Sequence, residues 1–239
     1  MNKFSRDEYI IIRISDYKDN KSIVNAIGRR SGLVSFAVGK HKSFKSPFTG
    51  KISKLNIINA ELFESNNHNY LNNINKTYHI GKIENIKEYQ SQQKLLLVLE
   101  KLSQHTLDVE IFDTIYTLIT NKLSIHKNLS LILSKIMHCL NLFEVDRNLH
   151  EANHFFINQD GVINNKQGQI KFTKSTFKVL NFYIKNNVQN AQKLNITQEI
   201  EIEIEYIFTQ LLNYKYNTLI NFRNLNDIFN SIQFHDQTN

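Results

Sequence analysis

Hydrophobic residues change their spacing near residue 90, and this change divides the chain into two kinds of structure. Before it, apolar residues form short runs that are rich in β-branched side chains and bounded by turn residues, as is typical of strands. After it, they recur at intervals of three and four residues, as is typical of amphipathic helices. We therefore expect an α+β protein with strands first and helices second. The expected strands are Tyr9–Ile14, Ser22–Gly28, Leu33–Val38, Ile52–Phe63 and Thr77–Ile83.

The first 80 residues predict a small closed β-barrel. Gly28 and Gly32 bracket residues 29–31, and glycine allows the backbone conformations that a tight hairpin turn needs. Five short strands in about 80 residues, with a basic loop between the third and the fourth, are typical of an OB-fold. We predict a five-stranded OB-fold β-barrel over residues 1–80.

Residues 81–239 predict a mainly α-helical domain. Residues 148–172 are polar and rich in turn residues, so we expect a loop and strand insertion there. A further helix is expected to start at Thr173 or Ser175. Residues 199–205 alternate glutamate and isoleucine as a strand would, but helical spacing continues beyond them and acids suit a helix N-terminus, so we predict a helix. The clearest helical stripe is Leu129, Ile132, Leu133, Ile136, Leu140 and Phe143.

The positive charge of the chain is confined to its first third. The net charge is +7, and residues 1–80 contain 13 Lys and Arg against 6 Asp and Glu, whereas residues 81–239 contain 16 of each. Between Asp19 and Glu61 there is no acidic residue. A polyanion is the expected partner of such a segment. Its eight bases are Lys21, Arg29, Arg30, Lys40, Lys42, Lys45, Lys51 and Lys54.

The loop at residues 39–46 is the strongest candidate for a binding site. It contains Lys40, Lys42, Lys45 and Phe44 within eight residues. Cations displace the counterions of phosphates, and flat side chains stack on unpaired bases, so this composition suits nucleic acid. The alternatives are a solvated lysine loop without function and, for Phe44 and Phe48, a place in the barrel core.

Residues 150–154 (HEANH) match a pattern that binds zinc when it lies on a helix, with His150 and His154 as ligands and Glu151 as the base. Here the pattern follows the end of a helix and leads into an expected strand and turn. We therefore expect surface histidines and no metal. A structural metal site that also uses Cys139 and a zinc metallohydrolase stay open as alternatives.

Other classes of protein find no support in the sequence. Phosphate-binding, dinucleotide-binding and hydrolase motifs are missing, so we expect no catalytic residue, no cofactor and no enzymatic activity. There is one cysteine, no apolar stretch long enough to span a membrane and no apparent signal peptide, so we expect a cytoplasmic protein without a membrane partner.

The N-terminal region resembles the RecO family of bacterial DNA repair and recombination mediators. The members of that family are close in length to this chain and consist of an OB barrel followed by a helical domain. The resemblance is specific over roughly residues 9–63. It lies in residues 16–24 (DYKDNKSIV), 32–35 (GLVS), 37–40 (AVGK) and 45–50 (KSPFTG), ending at Leu55.

The resemblance implies a protein that binds single- and double-stranded DNA, anneals complementary strands and helps to load a recombinase. It also implies a nucleoid-associated location and partnership with RecR and with the C-terminal tail of single-stranded DNA-binding protein. The resemblance implies that Arg29, Arg30, Lys40, Lys42 and Lys45 bind DNA. We add Lys51 and Lys54 to the predicted binding residues because of their charge, and Phe44 because its ring could stack on a base.

The chain departs from the family pattern in three places. Val38 stands where lysine is frequent, and residues 148–170 lack the four cysteines of a zinc site, so a degenerate, zinc-ribbon-like insertion is expected there. The helix near residues 130–142 lacks the family's arginine and glycine. The main alternative function is an RNA-binding OB-fold protein, because a basic barrel does not distinguish DNA from RNA.

Overall fold

The computed structural model describes residues 3–17, 21–39, 45–102, 109–145, 152–158, 161–216 and 222. The chain forms two compact units, residues 1–124 and 125–239. The first contains a five-stranded sheet and two helices, and the second contains further helices and a small sheet. The expected α+β class, with strands before helices, is confirmed.

Five strands of the first unit close on one another in the order β1-β2-β3-β5-β4. Neighbouring strands are antiparallel except for β3 and β5, which pair in parallel at Phe36 with Asn69 and Ala37 with Tyr70. The long first strand pairs with β4 in its first half and with β2 in its second half. The strands are β1 (Lys3–Tyr17), β2 (Lys21–Gly28), β3 (Gly32–Gly39), β4 (Ile57–Ser65) and β5 (His68–Tyr78).

Alternate residues of these strands fill the interior of the barrel, because successive side chains of a strand point to opposite faces. Bulges in β1 and in the β4–β5 pair shift the alternation locally. The largest inward rings, Tyr9 and Phe36, lie 5.9 Å apart between centroids. The buried core comprises Tyr9, Ile11, Val24, Ala26, Phe36, Val38, Ile52, Ile58, Ala60, Leu62 and Ile74.

The expected strands at 52–63 and 77–83 need correction. Residues 45–56 form turns, with Leu55 at a φ of 62°, so β4 begins only at Ile57. The fifth strand is His68–Tyr78, ahead of the predicted position. Asn66 and Asn67 both have positive φ and form the two-residue turn before it, a conformation that asparagine tolerates better than most residues.

Two helices, α1 (Ile86–Leu102) and α2 (Val109–Thr120), belong to the same compact unit as the barrel. Their apolar stripes are buried, as the helical spacing predicts. This compact unit extends to Ser124. In it, α2 makes side-chain contacts with the strands, through Asp113 with Arg29 and Tyr116 with Tyr78. The expected domain boundary at residue 80 stays a prediction.

The second unit combines helices with a four-stranded sheet of order β6-β8-β7-β9. The sheet covers much of the segment expected to be a loop and strand insertion. The rings of Phe155 and Phe172 in this sheet pack against that of Phe177 in the helix that follows, with centroids 4.5 to 6.5 Å apart. The described elements of the second unit are α3 (Ile125–Cys139), β6 (Glu144–Val145), β7 (His154–Ile157), β8 (Val162–Asn164), β9 (Ile170–Thr173), α4 (Lys174–Lys185), α5 (Val188–Ala191) and α6 (Gln198–Tyr216).

Two helix predictions for the second unit are confirmed. Thr173 is the N-cap of α4, and its hydroxyl accepts a hydrogen bond from the backbone N–H of Thr176. The glutamate–isoleucine segment lies within α6. Glu203 of α6 accepts hydrogen bonds from the backbone N–H and hydroxyl of Thr173, at 3.1 and 2.9 Å. Within the described parts of the chain, no helix combines the length and apolar character that a membrane crossing requires.

Candidate nucleic-acid interface

The β2–β3 turn that holds Arg29 and Arg30 is built around Asp7. One carboxylate oxygen of Asp7 accepts hydrogen bonds from the backbone N–H of Arg30 at 2.9 Å and from the N–H and hydroxyl of Ser31 at 3.0 and 2.8 Å. Glycine at residue 28 leaves room for these hydrogen bonds, because a Cβ atom there would lie 2.0 Å from the Ser31 hydroxyl and 2.9 Å from Oδ2 of Asp7. The turn is thus a defined structure and not a loose tip.

These hydrogen bonds also fix the charge state of Asp7. Burial opposes ionisation of this carboxyl group, but the hydrogen bonds from Arg30, Glu8 and Ser31 outweigh it and lower the pKa of Asp7 below its usual value. The turn therefore depends on an ionised carboxylate.

Arg29 is engaged by acidic groups of its own unit. Its guanidinium Nε lies 3.0 Å from Oδ1 of Asp113 on α2, and its Nη2 donates to Oδ2 at 3.1 Å. Its Nη1 lies 3.4 Å from Glu8. The hydrogen bond that Arg29 donates to Asp113 and the negative charge of that carboxylate raise the pKa of Arg29. Arg29 thus links the turn to α2, and its charge is largely balanced in place.

Arg30 is more accessible than Arg29. Its side chain is 77% exposed, with Nε 3.5 Å from Asp7. Its Nη2 donates to the backbone carbonyl of Arg6 at 2.7 Å. The guanidinium is held in place and still faces solvent, so it remains a candidate for contact with phosphate.

The predicted lysine sites fall in two groups. Lys40, Lys42 and Phe44 lie outside the described residues. Lys45 and Lys54 are exposed and Lys51 is half-buried, and none of the three forms an ion pair within the described part of the chain. The same segment contains Phe48 and Ile52, which pack against the barrel core. For Phe48 the core alternative is therefore correct.

The arginine turn and Gly39, which precedes the lysine loop in the sequence, lie at opposite ends of β3. The turn precedes Gly32 at the start of β3, and the loop follows Gly39 at its end. Eight residues of strand separate them, or roughly 23 Å at about 3.3 Å per residue.

The structure reveals a further cationic surface that our sequence interpretation did not identify as a site. The outer sides of β1, β2 and β3 are accessible over eight residues, which we call the open face. Arg13 and Lys21 are exposed on it, and within the described residues neither meets a carboxylate at ion-pair distance. None of the eight residues of the open face is acidic, although Asp16, between Ser15 and Tyr17 on β1, is also exposed and accepts a hydrogen bond from the Ser22 hydroxyl. The open face comprises Arg13, Ser15, Tyr17, Lys21, Ile23, Asn25, Ser35 and Ala37.

A simple sequence pattern could have indicated Arg13. It interrupts an otherwise apolar run, Tyr9–Ile14, and it pairs across the bulge with Asn25. Asn25 in turn pairs with Ser35, whose hydroxyl donates to the Asn25 side chain at 2.7 Å. Polar residues at paired positions on three strands mark a solvated face.

Another part of the barrel exterior is covered by α2. The hydroxyl of Tyr116 donates to that of Tyr78 at 3.1 Å, and the rings meet edge to face at 5.5 Å. Burial and this hydrogen bond raise the pKa of Tyr116. Lys76 lies 4.5 Å from the centroid of the Tyr78 ring, and its hydrogen bond lowers the pKa of Tyr78. These residues support helix packing.

The HEANH segment shows no metal-binding geometry in its described part. His154 is exposed at the start of β7, so it lies on a strand and not on the helix that the zinc motif needs. His150 and Glu151 lie outside the described residues. Throughout the described ranges, no cluster of three or more His, Cys, Asp or Glu could hold a metal ion.

Comparison with known proteins adds no assignment. No protein-family model matches the chain, and no curated protein matches it significantly.

Proposed function

We propose that the chain binds single- and double-stranded DNA through its first unit and promotes annealing of complementary strands, as expected of a RecO-like recombination mediator. The main supporting observation is the open face, where Arg13 and Lys21 lie among eight residues without a carboxylate. Cations without neutralising partners are available to phosphates, and each phosphate contact releases a bound counterion.

The strand arrangement supports an OB-fold for this unit. The closed order β1-β2-β3-β5-β4, with β3 and β5 parallel, is consistent with the five-stranded Greek-key barrel. In OB-folds, nucleic acid binds on the face of strands 2 and 3, which here corresponds to the open face. The proposed binding surface therefore follows from both topology and charge.

Annealing by this route needs no covalent step and no cofactor. Two complementary strands repel each other through their phosphates, and a protein that neutralises some of these charges lets them approach. Base pairing then supplies the free energy. The proposal accordingly assigns no catalytic residue.

In the second unit we propose a cysteine-free counterpart of a zinc ribbon. The small sheet contains buried Phe155, Ile157, Ile163, Ile170 and Phe172, so apolar packing replaces metal ligation. RecR and the C-terminal tail of single-stranded DNA-binding protein are the proposed protein partners. Binding to chromosomal DNA would associate the protein with the nucleoid.

The experiment is annealing of complementary oligonucleotides, either bare or coated with single-stranded DNA-binding protein. We expect the full chain to accelerate annealing of both, with salt-sensitive binding to DNA. A strong preference for RNA oligonucleotides would instead favour the RNA-binding alternative. Hydrolysis that requires stoichiometric zinc and is lost in Glu151→Gln would favour the metallohydrolase.

A further inference from the structure

Three aromatic side chains form a row in register on the outer surface of the first unit. Phe4 of β1 pairs with Phe63 of β4, and Phe63 pairs with Tyr70 of β5. The rings of Phe4 and Phe63 lie 5.2 Å apart between centroids. Phe4 is 55% exposed and Tyr70 is 40% exposed. We call these three residues the aromatic row.

The aromatic row is not part of the barrel core. Leu62 and Leu71, which are adjacent in sequence to Phe63 and Tyr70, pack inward, so the rings face outward. Adjacent strands lie about 4.8 Å apart, so the row spans roughly 10 Å. Bases of a nucleic acid that are stacked about 3.4 Å apart would place two to three bases over the roughly 10 Å of the aromatic row.

The nearest outward positions beside the aromatic row carry no net charge, and Glu64 is exposed next to Phe63 on β4. The next outward positions toward α2 are Arg6 and Glu61, which form an ion pair at 2.9 Å. Their charges cancel locally. Beside them on β5 lies Asn73, whose side-chain amide can both donate and accept hydrogen bonds.

Strand pairing connects the aromatic row to the open face through β3. Tyr70 pairs with Ala37 of β3, Ala37 pairs with Ile23 of β2, and Ile23 pairs with Ser15 of β1. On the same strands and the same side, Arg13 lies two residues before Ser15, and Lys21 lies two residues before Ile23. The register therefore leads around the closed barrel from the rings, across β3, to Lys21 on β2 and Arg13 on β1.

We propose that the aromatic row is a stacking platform for the unpaired bases of a single-stranded nucleic acid, whose phosphates reach Arg13 and Lys21. This inference rests on the proposed function and adds that the first unit prefers single-stranded to double-stranded nucleic acid. Stacking on side chains needs exposed base faces, which single strands offer and duplexes conceal. The cations and the lack of a carboxylate on the open face favour a polyanion over a protein as the occupant.

A tryptophan at residue 70 makes the platform directly observable. The chain has no tryptophan, so Tyr70→Trp places the only tryptophan of the chain in the aromatic row. We expect its emission to be quenched on addition of an oligothymidylate and to change little with a duplex of equal length. Phe182→Trp is the matched control, because Phe182 is exposed on α4 of the second unit, and it should not respond.

Affinity measurements separate stacking from charge. Tyr70→Leu should weaken binding of the oligothymidylate by about tenfold, because stacking contributes substantially for each base. The slope of log affinity against log salt should stay unchanged, since no cation is lost. Tyr70→Phe keeps the ring and should bind like the wild type. Phe4→Leu, at an exposed position, should weaken binding in the same direction.

The outcomes distinguish the two proposals. If the wild type shows no salt-dependent binding to single strands, the proposed function itself fails. If it binds but the tryptophan at residue 70 is not quenched and both leucine variants bind normally, the stacking platform is rejected while DNA binding stands. Should Tyr70→Trp fail to fold by circular dichroism, the affinity of Phe4→Leu decides. Quenching by an added protein partner without any by the oligonucleotide would identify a protein-docking surface instead.

Discussion

Asp7 determines the geometry of the turn that presents Arg29 and Arg30. Its side chain is buried, and its two oxygens accept hydrogen bonds from Glu8, Arg30 and Ser31. Removing a buried charged acceptor leaves donors without a partner, which costs more than a hydrogen bond contributes on average. The acid that matters most for this basic hairpin thus comes from another strand.

We predict that Asp7→Asn lowers the free energy of unfolding by about 1–3 kcal/mol, because the neutral amide cannot replace a carboxylate that accepts several hydrogen bonds. Urea unfolding of the two proteins at neutral pH measures the difference. An equal midpoint and slope for both would show that the turn does not depend on this charge.

The same residue predicts a pH dependence. Its pKa is lower in the folded protein than its ordinary value of 3.8. Its stabilising contribution is therefore complete above about pH 4 and disappears as the pH falls through the lower, folded-state pKa. The stability gap between the wild type and Asp7→Asn should narrow over this acidic range in urea titrations. A gap that stays constant down to pH 2 would contradict the assignment.

Among the elements, the β2–β3 hairpin and α2 are joined by the ion pair between Arg29 and Asp113. We predict a coupling free energy of about 0.5 kcal/mol between these residues in a double-mutant cycle with alanine, as is usual for partly exposed pairs. Arg29→Ala should lower the free energy of unfolding and leave the slope of log DNA affinity against log salt nearly unchanged. A large decrease in that slope would show that Arg29 contacts DNA directly.

The elements also show what the sequence could predict. The sequence predicts β2 and β3 because glycines mark their turn and apolar residues alternate along them. It does not predict the position of β5, because the asparagine-rich sequence of this strand is typical of a loop and the turn before it, at Asn66 and Asn67, uses positive φ values. The arginine–Asp113 contact joins residues 84 positions apart, and no local pattern encodes such a distance.

For the whole molecule, the surplus of positive charge lies in the compact unit that contains the barrel. Residues 1–124 contain 18 Lys and Arg against 12 Asp and Glu, and residues 125–239 contain 11 against 10. The surplus predicted from sequence thus lies in the first compact unit. The sequence does not predict which of these positive side chains are neutralised. Acids distant in sequence form ion pairs with Arg6 and Arg29, whereas Arg13 and Lys21 have no such partner among the described residues.

The most direct test of nucleic-acid binding by the open face is the salt dependence of affinity for a single-stranded oligonucleotide. Arg13→Ala combined with Lys21→Ala should flatten the slope of log affinity against log salt by about 1.4 units, since each lost phosphate contact to a single strand removes about 0.7. Lys82→Ala combined with Lys87→Ala removes the same charge outside this face and should leave the slope near that of the wild type. Identical slopes for all three proteins would contradict the account.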